Sequence, residues 1–184
     1  MTALVTAGNT AGALRMVYVN SGPSTAVVNT AAETVFDQYF TYPLQSQRAT
    51  LPTTLIRLRT FGIFSTGLLN LGLTLRLRWG GVAGTLLCSS GSLSLQASAS
   101  NIGWSAEAQI LMQAVGPIGV IEGQGYAAFA AGALAIAALP MANAGTFTVD
   151  TTVASDLVLT AQWGTAAAAN SIQLRTCVVE VDGP

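Results

Sequence analysis

Apolar and polar residues alternate one for one through several short stretches of this chain, most cleanly in two. Residues 54–62 read Thr-Leu-Ile-Arg-Leu-Arg-Thr-Phe-Gly, and residues 73–80 read Leu-Thr-Leu-Arg-Leu-Arg-Trp-Gly. Successive side chains of a strand point to opposite faces. The second stretch therefore puts Leu73, Leu75, Leu77 and Trp79 on one face and Thr74, Arg76 and Arg78 on the other. A helix would need a period near 3.6 instead of two, so both stretches predict half-buried strands. The loop at 67–72 is short enough to predict that the two form an antiparallel pair.

Further strands follow from the same pattern. Leu14 to Val19 reads as a first strand that pairs at a sheet edge or reaches a neighbouring subunit, before the turn signal Ser21-Gly22-Pro23-Ser24. Thr34 to Tyr42 alternates at period two, with Phe36, Phe40 and Tyr42 sharing a face, and Pro43 breaks it. Gly84 to Ser89 predicts another strand, whereas the Ser-rich stretch 89–100 suits either a strand or a loop. In the segment from Trp104 to Met112, Trp104, Ala106, Ala108 and Ile110 lie on one face. Val120 to Tyr126, 145–152, 156–164 and Ser171 to Val181 complete the series. Many short strands with short turns and no convincing amphipathic helix predict an all-β, antiparallel β-sandwich. The jelly roll is the first expectation and an immunoglobulin-like sandwich the second. The expected organisation is an extended N-terminal arm over residues 1–33 followed by one sandwich domain over residues 34–184.

Composition sharpens this picture. The chain of 184 residues is 51% hydrophobic and only 8% charged, with a net charge of −1, against roughly a quarter charged in ordinary soluble domains. A surface so poor in charge offers little repulsion against association, which points to burial in an assembly. All seven basic residues are Arg, and none forms a basic run, so no nucleic-acid partner is expected. The Ala-rich stretch from Tyr126 to Met141 is shorter than a membrane span and is closed by Pro140, so no membrane partner is expected either. Met1 to Thr6 lack the features of a signal peptide, which fits cytosolic synthesis. Cys88 and Cys177 are expected as free thiols, with a strand-bridging disulfide as the alternative.

Candidate chemistry is thin. The chain has no His and no Lys, which removes Ser-His and Cys-His nucleophiles and lysine bases, so no enzyme is expected. Neither a metal site nor a cofactor is expected. Gly123-Gln124-Gly125 lacks the context of a phosphate loop. Glu107 and Glu122, on adjacent expected strands, could face each other as a glycosidase pair. The competing reading is that each carboxylate sits opposite an Arg. Arg57, Arg59, Arg76 and Arg78 fall on the polar faces of neighbouring expected strands, where like charges repel unless partnered. Glu107, Gln109 and Glu122 are the expected partners, from the same chain or another subunit, in inter-strand or inter-subunit salt bridges. An Arg ladder binding an anionic sugar or phosphate is the alternative. Trp79, Trp104 and Trp163 suggest carbohydrate stacking, but Trp79 and Trp163 continue apolar strand faces and are expected in the core.

The order of these segments resembles a known type. Phe36 to Pro43 is followed by Ile56-Arg57-Leu58-Arg59-Thr60-Phe61-Gly62, Leu75-Arg76-Leu77-Arg78-Trp79-Gly80 and Asn101-Ile102-Gly103-Trp104. Leu159 to Gly164 and Ile172-Gln173-Leu174-Arg175 close the series. Together these resemble tailed-bacteriophage virion proteins of a jelly-roll type over residues 34–181. The resemblance implies a capsid cement or decoration protein on the outer shell, a homotrimer bound to the major capsid protein, with no catalytic residues and a virion location. The alternative is a tail-fibre or baseplate module that binds host carbohydrate, and a third reading is a lytic glycosidase.

Overall fold

A computed structural model describes residues 15–37, 40–42, 53–68, 72–132, 135–143 and 145–182. Thirteen strands and no helix are found among them. They are β1 (Arg15–Val19), β2 (Val27–Val28), β3 (Thr34–Val35), β4 (Phe40–Tyr42), β5 (Leu55–Ser65), β6 (Leu73–Trp79), β7 (Thr85–Ser89), β8 (Ile102–Ala114), β9 (Gly119–Gly132), β10 (Ala135–Met141), β11 (Phe147–Val149), β12 (Ser155–Trp163) and β13 (Ser171–Asp182). Two antiparallel sheets pack as a sandwich, as the period-two pattern predicts. The large sheet runs β1-β13-β5-β8-β9-β10, with β2 also on β13 and β11 also on β9. The small sheet runs β3-β12-β6-β7, with β4 also on β12.

The pairings are nested. β1 and β2 lie on β13, β3 and β4 on β12, β5 on β8, and β6 on β7. Each successive pair, counted inward from the ends of the chain, falls in the other sheet. The chain is thus a doubled ribbon coiled over its own core, and β9, β10 and β11 are added between β8 and β12 to widen the large sheet.

This nesting corrects the expectation that the two Arg-bearing strands pair with each other. β5 belongs to the large sheet and β6 to the small one. Their apolar faces meet across the core, and their edges bond to other strands. Alternation states which face of a strand is buried; it does not name the neighbour on its edge.

The inner faces are apolar and closed. Ile56, Leu58, Phe64, Leu73, Leu75, Leu77, Ile110, Met112 and Ile172 are buried in one cluster with Trp79, Trp104 and Trp163, so all three tryptophans are core residues. Trp104 stacks between Phe36 and Phe129 at centroid distances of 5.8 and 5.7 Å. The indole N–H groups of Trp104 and Trp163 donate to the carbonyls of Gln173 and Val27, both at 3.3 Å. Their polar edges are thereby satisfied inside an apolar layer. Gly62 is required beside this stack, because a Cβ there would collide with the Trp104 indole and the Gln173 carbonyl.

The first strand pairs at the large sheet's edge, β1 running along β13. The following segment is stitched to the same strand, where the β13 register slips between Leu174 and Thr176. There the Leu174 N–H donates to Ser24 Oγ at 3.1 Å and the Cys177 N–H to Asn20 Oδ1 at 2.6 Å. Side chains from the N-terminal segment thus accept from β13 amides beside the slip. Residues 1–14 of the expected arm, Pro43, residues 69–71 of the expected loop and Ala133–Leu134 lie outside the described residues. Beyond Ser89, which ends β7 and bridges to Ala142, the Ser-rich stretch to residue 100 is irregular, with a bridge from Leu93 to Leu73; Leu93, Leu95 and Ala99 are nonetheless buried.

Candidate functional site

The arginines of β5 and β6 divide between the outer faces of the two sheets. On the small sheet, Arg76 and Arg78 of β6 stand beside Val158, Thr160 and Gln162 of β12, whose register sets Val158 opposite Arg78, Thr160 opposite Arg76 and Gln162 opposite Thr74. Glu33, immediately before β3, drops its carboxylate between them. Arg78 grips it with both arms of its fork, Nε to Oε1 at 2.6 Å and Nη2 to Oε2 at 2.9 Å. Arg76 Nη1 donates to Oε2 at 3.2 Å, and Thr160 Oγ1 donates to Oε1 at 2.6 Å.

An outer ring of bonds orders these groups. Arg76 Nη1 also donates to Gln162 Oε1 at 2.7 Å, Gln162 Nε2 to the Ala31 carbonyl at 2.9 Å, and Arg78 Nη1 to the Gly84 carbonyl at 2.9 Å. The side chains of Arg76, Arg78 and Glu33 are only 21, 17 and 16% exposed. Burial by itself would push the Glu33 carboxyl up. The bonds from Arg78 and Thr160 and the charges of Arg76 and Arg78 outweigh it and hold the group below its ordinary value.

On the large sheet, β13, β5, β8 and β9 present four rungs of outward side chains. Asp182, Leu55, Leu111 and Glu122 form the first rung, and Glu180, Arg57, Gln109 and Gln124 the second. Val178, Arg59, Glu107 and Tyr126 form the third, and Thr176, Phe61, Ser105 and Ala128 the fourth. Here the contacts are looser. Arg59 Nη2 stands 3.6 Å from Glu180 Oε2, with 44% of its side chain exposed. Arg57 Nε and Glu180 Oε2 are buried atoms without a hydrogen-bond partner. Glu122 Oε2 accepts from Gln113 Nε2 at 3.1 Å. The hydrogen bond between Tyr126 and Glu107, with some burial, raises the phenol above its ordinary value.

The register sets Glu107 opposite Arg59 and Gln109 opposite Arg57, as the spacing suggests. Glu122 lies opposite Leu111 instead, and neither glutamate reaches Arg76 or Arg78, which are on the other sheet. The partners that strand reasoning missed are Glu33, Thr160 and Gln162 on the small sheet and Glu180 on the large one. Glu180 carries a legible signal, because it sits at an outward position of a strand that alternates as β5 does. Glu33 carries none, being 43 residues before Arg76 and outside any alternating stretch.

As a glycosidase pair, Glu107 and Glu122 are poorly placed. Glu107 pairs with Tyr126, four residues beyond Glu122 on the same strand, which sets the two apart by about 13 Å along the ladder at ~3.3 Å per residue. Retaining and inverting pairs need about 5 to 9.5 Å. Among the described residues, this outer face has a depression of about 220 Å³ lined by Glu107, Gln109, Gln124, Gly125 and Tyr126, one of about 180 Å³ lined by Leu55, Gln109, Leu111, Glu122 and Gln124, and a smaller one of about 70 Å³ between Arg57, Arg59, Glu107 and Gln109. Among the described residues, no cluster of three His, Cys, Asp or Glu could hold a metal, and no helix is long and apolar enough to cross a membrane. Cys88 and Cys177 are free, buried thiols, both pushed up to about 12 by desolvation.

No family model and no curated protein matches the chain. Among solved structures it is similar to a protein of unknown function from Shewanella oneidensis MR-1, at 11% identity and a TM-score of 0.44 over 94% of this chain and 77% of that one. It is also similar to the structure of infectious bursal disease virus Gx strain, at 10% identity and a TM-score of 0.35 over 100% of this chain and 38% of that one. Likenesses this loose assign no function.

Proposed function

We propose that this chain is a non-enzymatic structural subunit of a virion, a cement or decoration protein that lies on the outer capsid shell and ties neighbouring major capsid subunits together. The observation that carries this reading is the use the chain makes of its few charges. Arg76, Arg78 and Glu33 satisfy one another against the small sheet. Arg57 and Arg59 of β5 lie on a broad sheet face whose exposed residues mix charge with Phe61, Leu111 and Tyr126. A flat face of that mixture suits contact with another protein surface better than enclosure of a small substrate. The nested strand pairing supports the jelly-roll reading, since a doubled ribbon wound alternately through two sheets is that connectivity.

The deciding experiment is to locate the chain in intact particles and count its copies by mass spectrometry and immunogold labelling. Copies by the hundred on the shell are expected, and a handful at the tail would overturn the reading. A tail-fibre or baseplate module binding host carbohydrate is the second reading. The depressions beside Gln109, Gln124 and Tyr126 favour it, because amides and a phenol can bond sugar hydroxyls. A glycan screen separates the two, since a cement protein binds empty heads and ignores sugars.

A further inference from the structure

We infer that the outer face of the large sheet is a self-complementary surface on which a second copy of this chain docks face to face about a two-fold axis. The inference does not depend on the virion reading. It rests on how the register distributes charge. In a chain with seven basic and eight acidic residues, this one face gathers Arg57, Arg59, Glu107, Glu122, Glu180 and Asp182. Exposed apolar groups stand among them: Phe61 is 48%, Tyr126 43% and Leu111 37% exposed.

The basic residues occupy β5 and the facing acid and amide occupy the same rungs of β8, with Arg59 opposite Glu107, Arg57 opposite Gln109 and Leu55 opposite Leu111. A two-fold axis in the interface, running along the strands between β5 and β8, lays β5 of one copy over β8 of the other without changing the rung. Every central contact is then complementary. Arg59 meets Glu107 of the second copy, Arg57 meets Gln109, Leu55 meets Leu111, and on the flanking strands Val178 meets Tyr126. Each contact occurs twice, as an isologous interface requires. The other in-plane axis, perpendicular to the strands between the two arginine rungs, would set Arg57 against Arg59 and is disfavoured by charge. Only Asp182 over Glu122, a contact that also occurs twice, brings like charges together. Those two corners lie at the rim, where the twist of packed sheets separates the rows and water screens them.

The size is adequate for a modest dimer. Four strands about 4.8 Å apart, paired over some ten residues, give a plan area of about 600 Å². Side-chain relief raises the accessible area toward the ~800 Å² per partner of ordinary specific interfaces.

The test uses the purified full chain in sedimentation velocity at low salt, with circular dichroism to confirm the fold of each variant. Wild type is expected to associate with two-fold stoichiometry. Arg59→Glu and Glu107→Arg are each expected to weaken self-association at least about tenfold, halving the mass of the assembly, because each sets like charges across the axis. Mixing these two variants is expected to restore association, since the reversed charge at position 59 of one chain then meets the reversed charge at position 107 of the other. An effect confined to one chain's own fold could not produce that rescue. Asp182→Asn is expected to tighten the dimer. The proposal is overturned if wild type is monomeric up to millimolar concentration, or if mixing the two folded variants gives no assembly.

Discussion

The two sheets carry the same Arg-x-Arg motif on their outer faces, and the chain treats the two copies oppositely. Against the small sheet, a carboxylate from the N-terminal segment closes on Arg76 and Arg78, and Thr160 beneath it is fully buried. Val158 on that outer face is buried as well. Against the large sheet, Arg59 reaches Glu180 at 3.6 Å while remaining 44% exposed, and the neighbouring Arg57 Nε is unsatisfied. One motif is internal structure that fastens the segment before β3 onto β6 and β12. The other is held only loosely by its own chain, through the 3.6 Å approach of Arg59 to Glu180. The difference shows that an arginine's role here depends on whether the chain supplies its own carboxylate at hydrogen-bonding range, and not on its strand pattern.

The largest effect should come from breaking the closed side. Glu33→Ala leaves two guanidinium groups without their shared acceptor at 17 and 21% exposure. Removing one partner of a buried pair costs about 3 to 5 kcal/mol, and this partial exposure lowers the expectation to roughly 2 to 3 kcal/mol. Urea unfolding of wild type and variant measures it. A loss below about 0.5 kcal/mol would mean that the two faces do not differ as described.

Acid should produce a smaller loss on the same side. The folded Glu33 carboxyl is held below its ordinary value of 4.5, so its contribution is fully present above that value. It declines as pH falls through the lowered folded value. The loss is smaller than for Glu33→Ala because a protonated carboxyl keeps its place and part of its bonding. Asp150 is also held low, by bonds from Thr152, so the informative quantity is wild-type stability minus that of Glu33→Gln. That difference should shrink below pH 4.5; one that stays flat would remove Glu33 as the acid-sensitive group.

The alternating strands were legible, because alternation is imposed by the pleat and needs no knowledge of neighbours; β2 and the Ala-rich β10 were not among those expected. The stretch 73–79 buries Leu73, Leu75, Leu77 and Trp79 and turns Thr74, Arg76 and Arg78 outward, as its pattern predicts. What connects the strands was not legible. β5 and β6 are near in sequence and equally patterned, yet each bonds to a strand whose partnership is fixed by closure of the whole ribbon. The same limit hid the small-sheet cluster. Glu33 reaches Arg76 and Arg78 only because β3 pairs with β12 and β12 with β6, two long-range registers that local pattern does not encode. β12 also breaks simple alternation, being buried from Leu157 to Ala161 on both faces, since the N-terminal segment covers its outer side.

The smallest expected effect tests the open side. In a double-mutant cycle with Arg59→Ala and Glu180→Ala, the coupling should be about 0.5 kcal/mol or less, because the contact at 3.6 Å is too long for a hydrogen bond and Arg59 is 44% exposed, although Glu180 is only 16% exposed. It should vanish near 1 M salt, where the screening length is about 3 Å, whereas the Glu33 cluster should keep most of its contribution. The cycle must be run at protein concentrations too dilute for association, because a second copy bound only to the folded state adds to apparent stability by mass action. Repeating it at high concentration then separates the two roles of Arg59. A face that serves only the fold gives the same coupling at both concentrations; a face that receives a second copy makes Arg59→Ala more costly as concentration rises, while Glu33→Ala stays constant.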